Sequence, residues 1–389
     1  MSVFGELAGQ AVVREQLERA AVASRADGSN SAMSQAWLFT GPPGSGRSNA
    51  ARALAAALEC TGPVPGCGEC SGCRTVLAGN HPDVEIVATQ GVTITVDQTR
   101  SLVGGSYVAP GVGRWRVIIV EDADRMAERT TNVLLKAIEE PPPTTIWILC
   151  TPSPEDVMQT IRSRCRNVNL VVPAAEDVAE LVVRRDGVAP EVAIVAARAA
   201  QSHIGRARAL ALDPEAGEQR RATLRSALSV RGAGDAIIGA QRIVNVAVTV
   251  AGSKRGSSKE EDIAELKRAL GIEDAARVPP AVRAQIREVE EEHKRRATRA
   301  KRDELDRAMV DILSLFRDVL TVQLGADVEL VNADFAHEIE AFAGSSTPDQ
   351  SVQRMDAIAQ ARRRLSGNVD PLLAVEAMMM AFRPQAFRE

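Results

Sequence analysis

Four short apolar runs punctuate roughly the first 170 residues: Ala36–Phe39 (AWLF), Val84–Val87 (VEIV), Val117–Val120 (VIIV) and Thr145–Cys150 (TIWILC). Their mostly continuous apolar character predicts strands of a parallel sheet covered on both faces. Amphipathic stretches between them predict helices over about 47–60, 97–105 and 127–140, and another over about 10–25 precedes the first strand. Strand and helix in alternation give a doubly wound α/β domain over residues 1–172.

Beyond about residue 172 the period is helical throughout. Glu176–Arg185, Pro190–Gln201 and Gly205–Leu212 predict a small helical domain over 173–217. Longer helices follow over 218–389, ending in PLLAVEAMMMAF (Pro371–Phe382), so the fold class is α/β plus all-α. The stretch 253–307 differs in kind. It opens with SKRGSSKEED, which reads as a flexible link. Between Arg283 and Arg307 nine residues are basic and seven acidic, a pattern that predicts a solvated helix or helical hairpin, with a DNA-binding or partner-binding arm as the alternative.

Composition narrows the class. The chain has 389 residues, 45% hydrophobic and 25% charged, as expected of an ordinary globular protein of two or three domains. Only 3% are aromatic, so Ala, Val, Leu and Ile must build the cores. A net charge of −4 excludes a generally basic nucleic-acid coat. No apolar run approaches the roughly 18 residues of a membrane helix, and no signal peptide is visible, so no membrane role and a cytoplasmic location are expected.

Candidate chemistry begins at Gly41-Pro42-Pro43-Gly44-Ser45-Gly46-Arg47-Ser48, between the first strand and the helix NAARALAAAL. Glycines let backbone N–H groups wrap a phosphate, and the helix start adds its dipole. The full phosphate-loop pattern has Lys seventh and Ser or Thr eighth, for the β/γ-phosphates and Mg²⁺. Ser48 fits, but Arg47 replaces the lysine with a bulkier planar fork. RVIIVEDADRM supplies the matching acidic strand end in Glu121 and Asp122, which could hold Mg²⁺ and water. ATPases of this class have Asp before Glu; here the order is reversed. ATP or ADP binding is therefore expected, with poor hydrolysis.

Cys60, Cys67, Cys70 and Cys73 are spaced C-x6-C-x2-C-x2-C. Two overlapping C-x2-C steps and one further thiol supply four soft ligands, which predicts a closed, structural Zn²⁺ site, with His81 as a spare ligand. Cys150 reads as a core residue and Cys165 as isolated. The stretch NVLLKAIEEPPPTTIWILC and the later Ser163-Arg164-Cys165 are also distinctive. Arg164 could stabilise phosphate charge here or in a neighbouring subunit. By composition alone it is a surface ion-pair residue.

In their order, phosphate loop, four cysteines, AGNHPD, VIIVEDADRM, NVLLKAIEEPP and SRC, these stretches resemble the AAA+ clamp-loader subunits of bacterial DNA polymerase III, and among them the delta-prime type. The resemblance covers residues 1 to about 210 and extends weakly to LFRDVL (Leu315–Leu320) and NVDPLLAVEAMM (Asn368–Met379), which are similar to the helical collar. It implies a zinc module over 60–73 within the AAA+ domain, a lid domain over 173–217 and a collar over 218–389 with an insertion at about 253–307. It further implies that Arg164 is an arginine finger for an adjacent ATPase subunit and that Arg206, in SHIGRARAL, can meet a nucleotide's phosphates. The implied partners are gamma/tau ATPase subunits, a delta subunit, the sliding clamp and, through the complex, primer–template DNA. Two alternatives remain at this point: a catalytic gamma/tau-type ATPase subunit, and a non-replicative phosphate-loop protein that binds nucleic acid.

Overall fold

The computed structural model describes residues 2–26, 32–87, 93–253, 259–270, 279–367 and 369–384. Half of the expected link at 253–262, residues 254–258, lies outside the described set, as does Asn368 of the collar-like stretch. The chain divides into two compact units, Met1–Leu212 and Asp213–Glu389.

The first unit is built on a five-stranded, wholly parallel sheet: β1 (Ala36–Thr40), β2 (Val84–Val87), β3 (Arg116–Val120), β4 (Thr145–Thr151) and β5 (Arg166–Asn169), in the order β2-β3-β4-β1-β5. Four of these are the apolar runs. Every residue of β1 and β4 is buried, as central parallel strands require. Alternate side chains serve opposite faces: Trp37 and Phe39 join one core with α1 (Ala11–Ala23) and α2 (Arg47–Leu58), while Leu38 joins another with Trp147 and Leu149. The second core is closed by Leu102 and Leu134, from α4 (Val96–Ser106) and α5 (Glu128–Glu139); α3 (Ser71–Leu77) lies between. The fifth strand, RNVN, is an addition to the expected four. It is an edge strand with only Val168 buried, and Arg166 lies 5.3 Å over the Trp37 ring.

After the four-residue α6 (Gln159–Arg162) and β5 come α7 (Ala175–Asp186), α8 (Pro190–Ala199) and α9 (Ile204–Leu212), as expected. They share a separate small core of Val178, Leu181, Val182, Ala193, Ala197 and Ala207. The first unit ends at Leu212, and Asp213 starts a new helix: its carboxylate accepts the Glu215 amide, Pro214 follows, and α10 (Pro214–Leu228) runs through residue 217.

The second unit is helical: α10, then α11 (Ala233–Ser253), α12 (Lys259–Ala269), α13 (Pro280–Gln323), α14 (Ala336–Gly344), α15 (Pro348–Ser366) and α16 (Pro371–Ala381). Helix α11 is long and apolar. By length and composition it passes the test for a membrane span, with 21 residues and a hydropathy of 1.3. It packs instead as a core helix: Ala236, Gly239, Ala240, Ile243, Val244, Ala247 and Ala251 recur at helical spacing and are buried. Polar groups pin this core. Arg220 is buried beside Asp311 and Asn332, and Asp318 accepts the Val331 and Asn332 amides. Buried Arg354 stacks on Phe316 and Phe342. The expected charged helix is real: α12 has no buried residue, and His293 of α13 meets Asp262 at 2.6 Å.

Candidate functional site: a phosphate loop, a four-thiol cluster and an exposed arginine

The phosphate loop leaves the carboxyl end of β1, where open α/β sheets place ligands. Gly41, Gly44 and Gly46 have φ of 150°, 89° and 91°, and Gly46 is the N-cap of α2. A Cβ on Gly41 would stand 2.5 Å from the Leu170 carbonyl oxygen; one on Gly44 would stand 2.9 Å from His203 Cα. Both glycines are thus fixed by close approach as well as by φ. Gln10 ties the loop to the irregular segment after β5, donating to the Val171 carbonyl at 2.6 Å and to the Ser45 carbonyl at 3.3 Å. Ser45 Oγ is buried inside the loop without a partner, and the first-turn amides of α2 have no intrahelical acceptor. The backbone therefore retains the features of a phosphate cradle.

Its side chains are arranged differently. Arg47, at the first position of α2, turns back and donates Nη1 to the loop's own Gly41 carbonyl. Burial lowers its pKa from the ordinary arginine value, against the opposing pull of Cys150, Asp124, Asp122 and Asp156. A guanidinium thus supplies positive charge among the carboxylates that would attract Mg²⁺. Glu121, at the end of β3, is paired with Arg52 of α2 at 2.9 Å. Burial also raises the Asp124 carboxyl. His203, just before α9, and Ile204, its first residue, lie against Gly44 and Gly46, so Arg206 sits in the first turn of a helix that begins on the loop. Arg52, Asp124, Asp156 and His203 were not apparent from the sequence. The i+5 spacing of Arg47 and Arg52 sets them on different sides of α2, so the sequence held no signal for the second arginine.

At the other end of α2 the four cysteines converge, their Sγ atoms all within 4.8 Å of one another. Cys60 Sγ lies 3.6 Å from Cys67 Sγ and 3.8 Å from Cys70 Sγ. Four sulfurs at about 2.3 Å from one ion have tetrahedral edges of about 3.8 Å, so the donor set fits zinc in type, number and size. The Cys70 amide donates to Cys67 Sγ and the Cys73 amide to Cys70 Sγ, each at 3.4 Å. Burial opposes the Cys70 thiolate, yet the Cys73 amide and Thr61 bring its pKa down to about 5. Burial, then Cys70 and Cys60, pushes Cys73 upward. The module is anchored by its neighbours. A Cβ on Gly72 would meet the Glu59 carbonyl at 2.1 Å, and the Glu59 carboxylate accepts the Arg114 and Trp115 amides at 3.1 Å each. His81 is turned elsewhere, its Nδ1 accepting the Asp83 amide, while Asp83 accepts the amides of Gly111, Val112 and Gly113.

Arg164 follows α6 and is about half-exposed. Its Nε meets Glu139 Oε1 at 2.7 Å, and its Nη1 donates to the Thr160 carbonyl at 2.7 Å. The surface ion pair expected from composition is therefore present. Cys150 and Cys165 are both buried, and burial raises each thiol to about 12.

Residues 19–173 match the sequence family described as DNA polymerase III, delta subunit. The chain is 35% identical over 239 residues to the gamma/tau subunit of Mycobacterium tuberculosis DNA polymerase III, covering 54% of this chain and 40% of that one. It is 35% identical over 153 residues to the delta' subunit of Pseudomonas aeruginosa, covering 38% and 47%. The delta' subunit of Bacillus subtilis is 25% identical over 339 residues, 87% of each chain. The chain thus spans less than half the length of the first two relatives and most of the third. Over these stretches the chain is similar to the delta' and gamma/tau subunits of DNA polymerase III.

Proposed function

We propose that the chain is a delta'-type clamp-loader subunit whose own nucleotide site hydrolyses ATP weakly or not at all. In this reading Arg164 completes the ATP site of an adjacent gamma/tau-type subunit, within a complex that also holds a delta subunit and places a sliding clamp on primer–template DNA. The observation that carries the choice is the turned-back Arg47, bonded to the Gly41 carbonyl. A lysine reaching out to the β- and γ-phosphates would supply what that side chain no longer offers. The Arg52–Glu121 pair points the same way, since a carboxylate held by a guanidinium is a poor activator of water. The backbone still suits ATP or ADP with Mg²⁺ as a structural ligand, held by the amides from Gly44 to Ser48. Zn²⁺ at Cys60, Cys67, Cys70 and Cys73 would staple the loop beside α2. Residues 1–172 would be the AAA+ domain, α7–α9 the lid, and the second unit the collar.

The test is ATP turnover by the purified chain, alone and then assembled with its partners, clamp and primed DNA. Negligible turnover alone is expected, with turnover of the assembly falling roughly a hundredfold or more in Arg164→Ala. A second reading, the gamma/tau-type ATPase, is favoured by Ser48 and by the 239-residue gamma/tau match. Brisk turnover by the isolated chain would establish it in place of the first.

A further inference from the structure

Glu139 ends α5, and Glu140 follows as its C-cap before Pro141. A helix carboxyl end carries partial negative charge, so two consecutive carboxylates there oppose the macrodipole. Helix stability gives no reason for Glu139 to be acidic; its ion pair does. Its Oε1 lies 2.7 Å from Arg164 Nε, a residue on a different element. A second anchor comes from α6, whose Thr160 carbonyl accepts Nη1 at 2.7 Å, with Ser163 Oγ at 3.4 Å from the same nitrogen. The guanidinium is thus fixed at two separated points, one anionic and one neutral. The contacts formed by Nε and Nη1 leave the Nη2 N–H groups of a side chain that is 41% exposed.

We infer that Glu139 is a positioning residue: with the Thr160 carbonyl it holds the Arg164 guanidinium in one orientation, with the Nη2 edge presented for a phosphate of a neighbouring subunit. This rests on the reading of Arg164 given above. A free arginine has several rotatable bonds to immobilise when it meets phosphate; one already held at two points has lost that freedom in advance. Because both partners are substantially exposed, the pair adds little to folding stability, and its effect falls on the orientation of the fork.

The experiment compares Glu139→Ala, Glu139→Gln, Arg164→Ala and the Glu139→Ala/Arg164→Ala double variant in the fully assembled complex, with clamp and primed DNA. It measures kcat and KM for ATP, and the Tm of each isolated variant. Glu139→Ala is expected to lower kcat about fivefold, the freedom of one rotamer-rich side chain, with KM and Tm unchanged. Glu139→Gln, which keeps an acceptor oxygen at the same reach, recovers most of that loss. The double variant is no slower than Arg164→Ala alone, since the glutamate acts only through the arginine. Unchanged or raised kcat in Glu139→Ala, beside a collapse in Arg164→Ala, would overturn the positioning role and leave the arginine reading standing. Additive losses in the double variant would also overturn it. Full activity in Arg164→Ala would remove the reading on which the inference rests.

Discussion

The two ends of α2 make an instructive pair. At its amino end the glycine loop proposed to hold a nucleotide has side chains that answer one another: Arg47 bonds to Gly41, and Arg52 to Glu121. At its carboxyl end four thiols converge within 4.8 Å around a space that suits one ion. One end has its charges largely matched internally; the other gathers donors that repel when ionised unless a cation joins them.

The largest effect should come from breaking the carboxyl end. Cys67→Ser, or removal of zinc by a chelator, is expected to destabilise the first unit by at least roughly 3 kcal/mol, as loss of a structural metal does. Metal content should fall from one zinc per chain to none, and zinc should leave wild-type protein as pH drops and the thiolates protonate. A one-zinc protein that survives Cys67→Ser with its Tm intact would show that three thiols suffice and that the contrast is overdrawn. Next in size is Arg47→Lys, which frees the Gly41 carbonyl and restores a compact ammonium. ATP affinity measured by titration calorimetry should rise about tenfold, or about 1.4 kcal/mol. An unchanged affinity would mean the cradle is closed by something other than Arg47. The smallest is Arg52→Ala: a partly exposed ion pair is screened, so chemical denaturation should register a loss of about 1 kcal/mol or less.

Legibility followed the distance over which each feature is encoded. The cysteines lie between positions 60 and 73, and their spacing alone predicted convergence. The central strands were readable because both faces are covered, leaving apolar runs that no solvent-facing residue interrupts. Strand β5 was not: RNVN lies at an edge, buries one side chain, and is a strand because β1 offers it a ladder. Arg52 and Glu121 are 69 residues apart, joined only through the packing of α2 beside β3. Arg164 could be singled out by its SRC context, whereas Glu139 reads as one of two acids before a proline run until the sheet brings the two together.

Helix α13 has a mechanical consequence. It is one uninterrupted rod of 44 residues, and among its described side chains the first fully buried one is Leu305. The 25 residues from Pro280 to Glu304 precede that point, at a rise that gives an arm of about 37 Å. Beyond it, Met309, Ile312, Leu315, Phe316 and Val319 are wedged among the other helices of the unit. A force applied at the charged end, which α12 braces through Lys259–Glu290 and Asp262–His293, would be carried along one continuous helix to the Phe316 cluster.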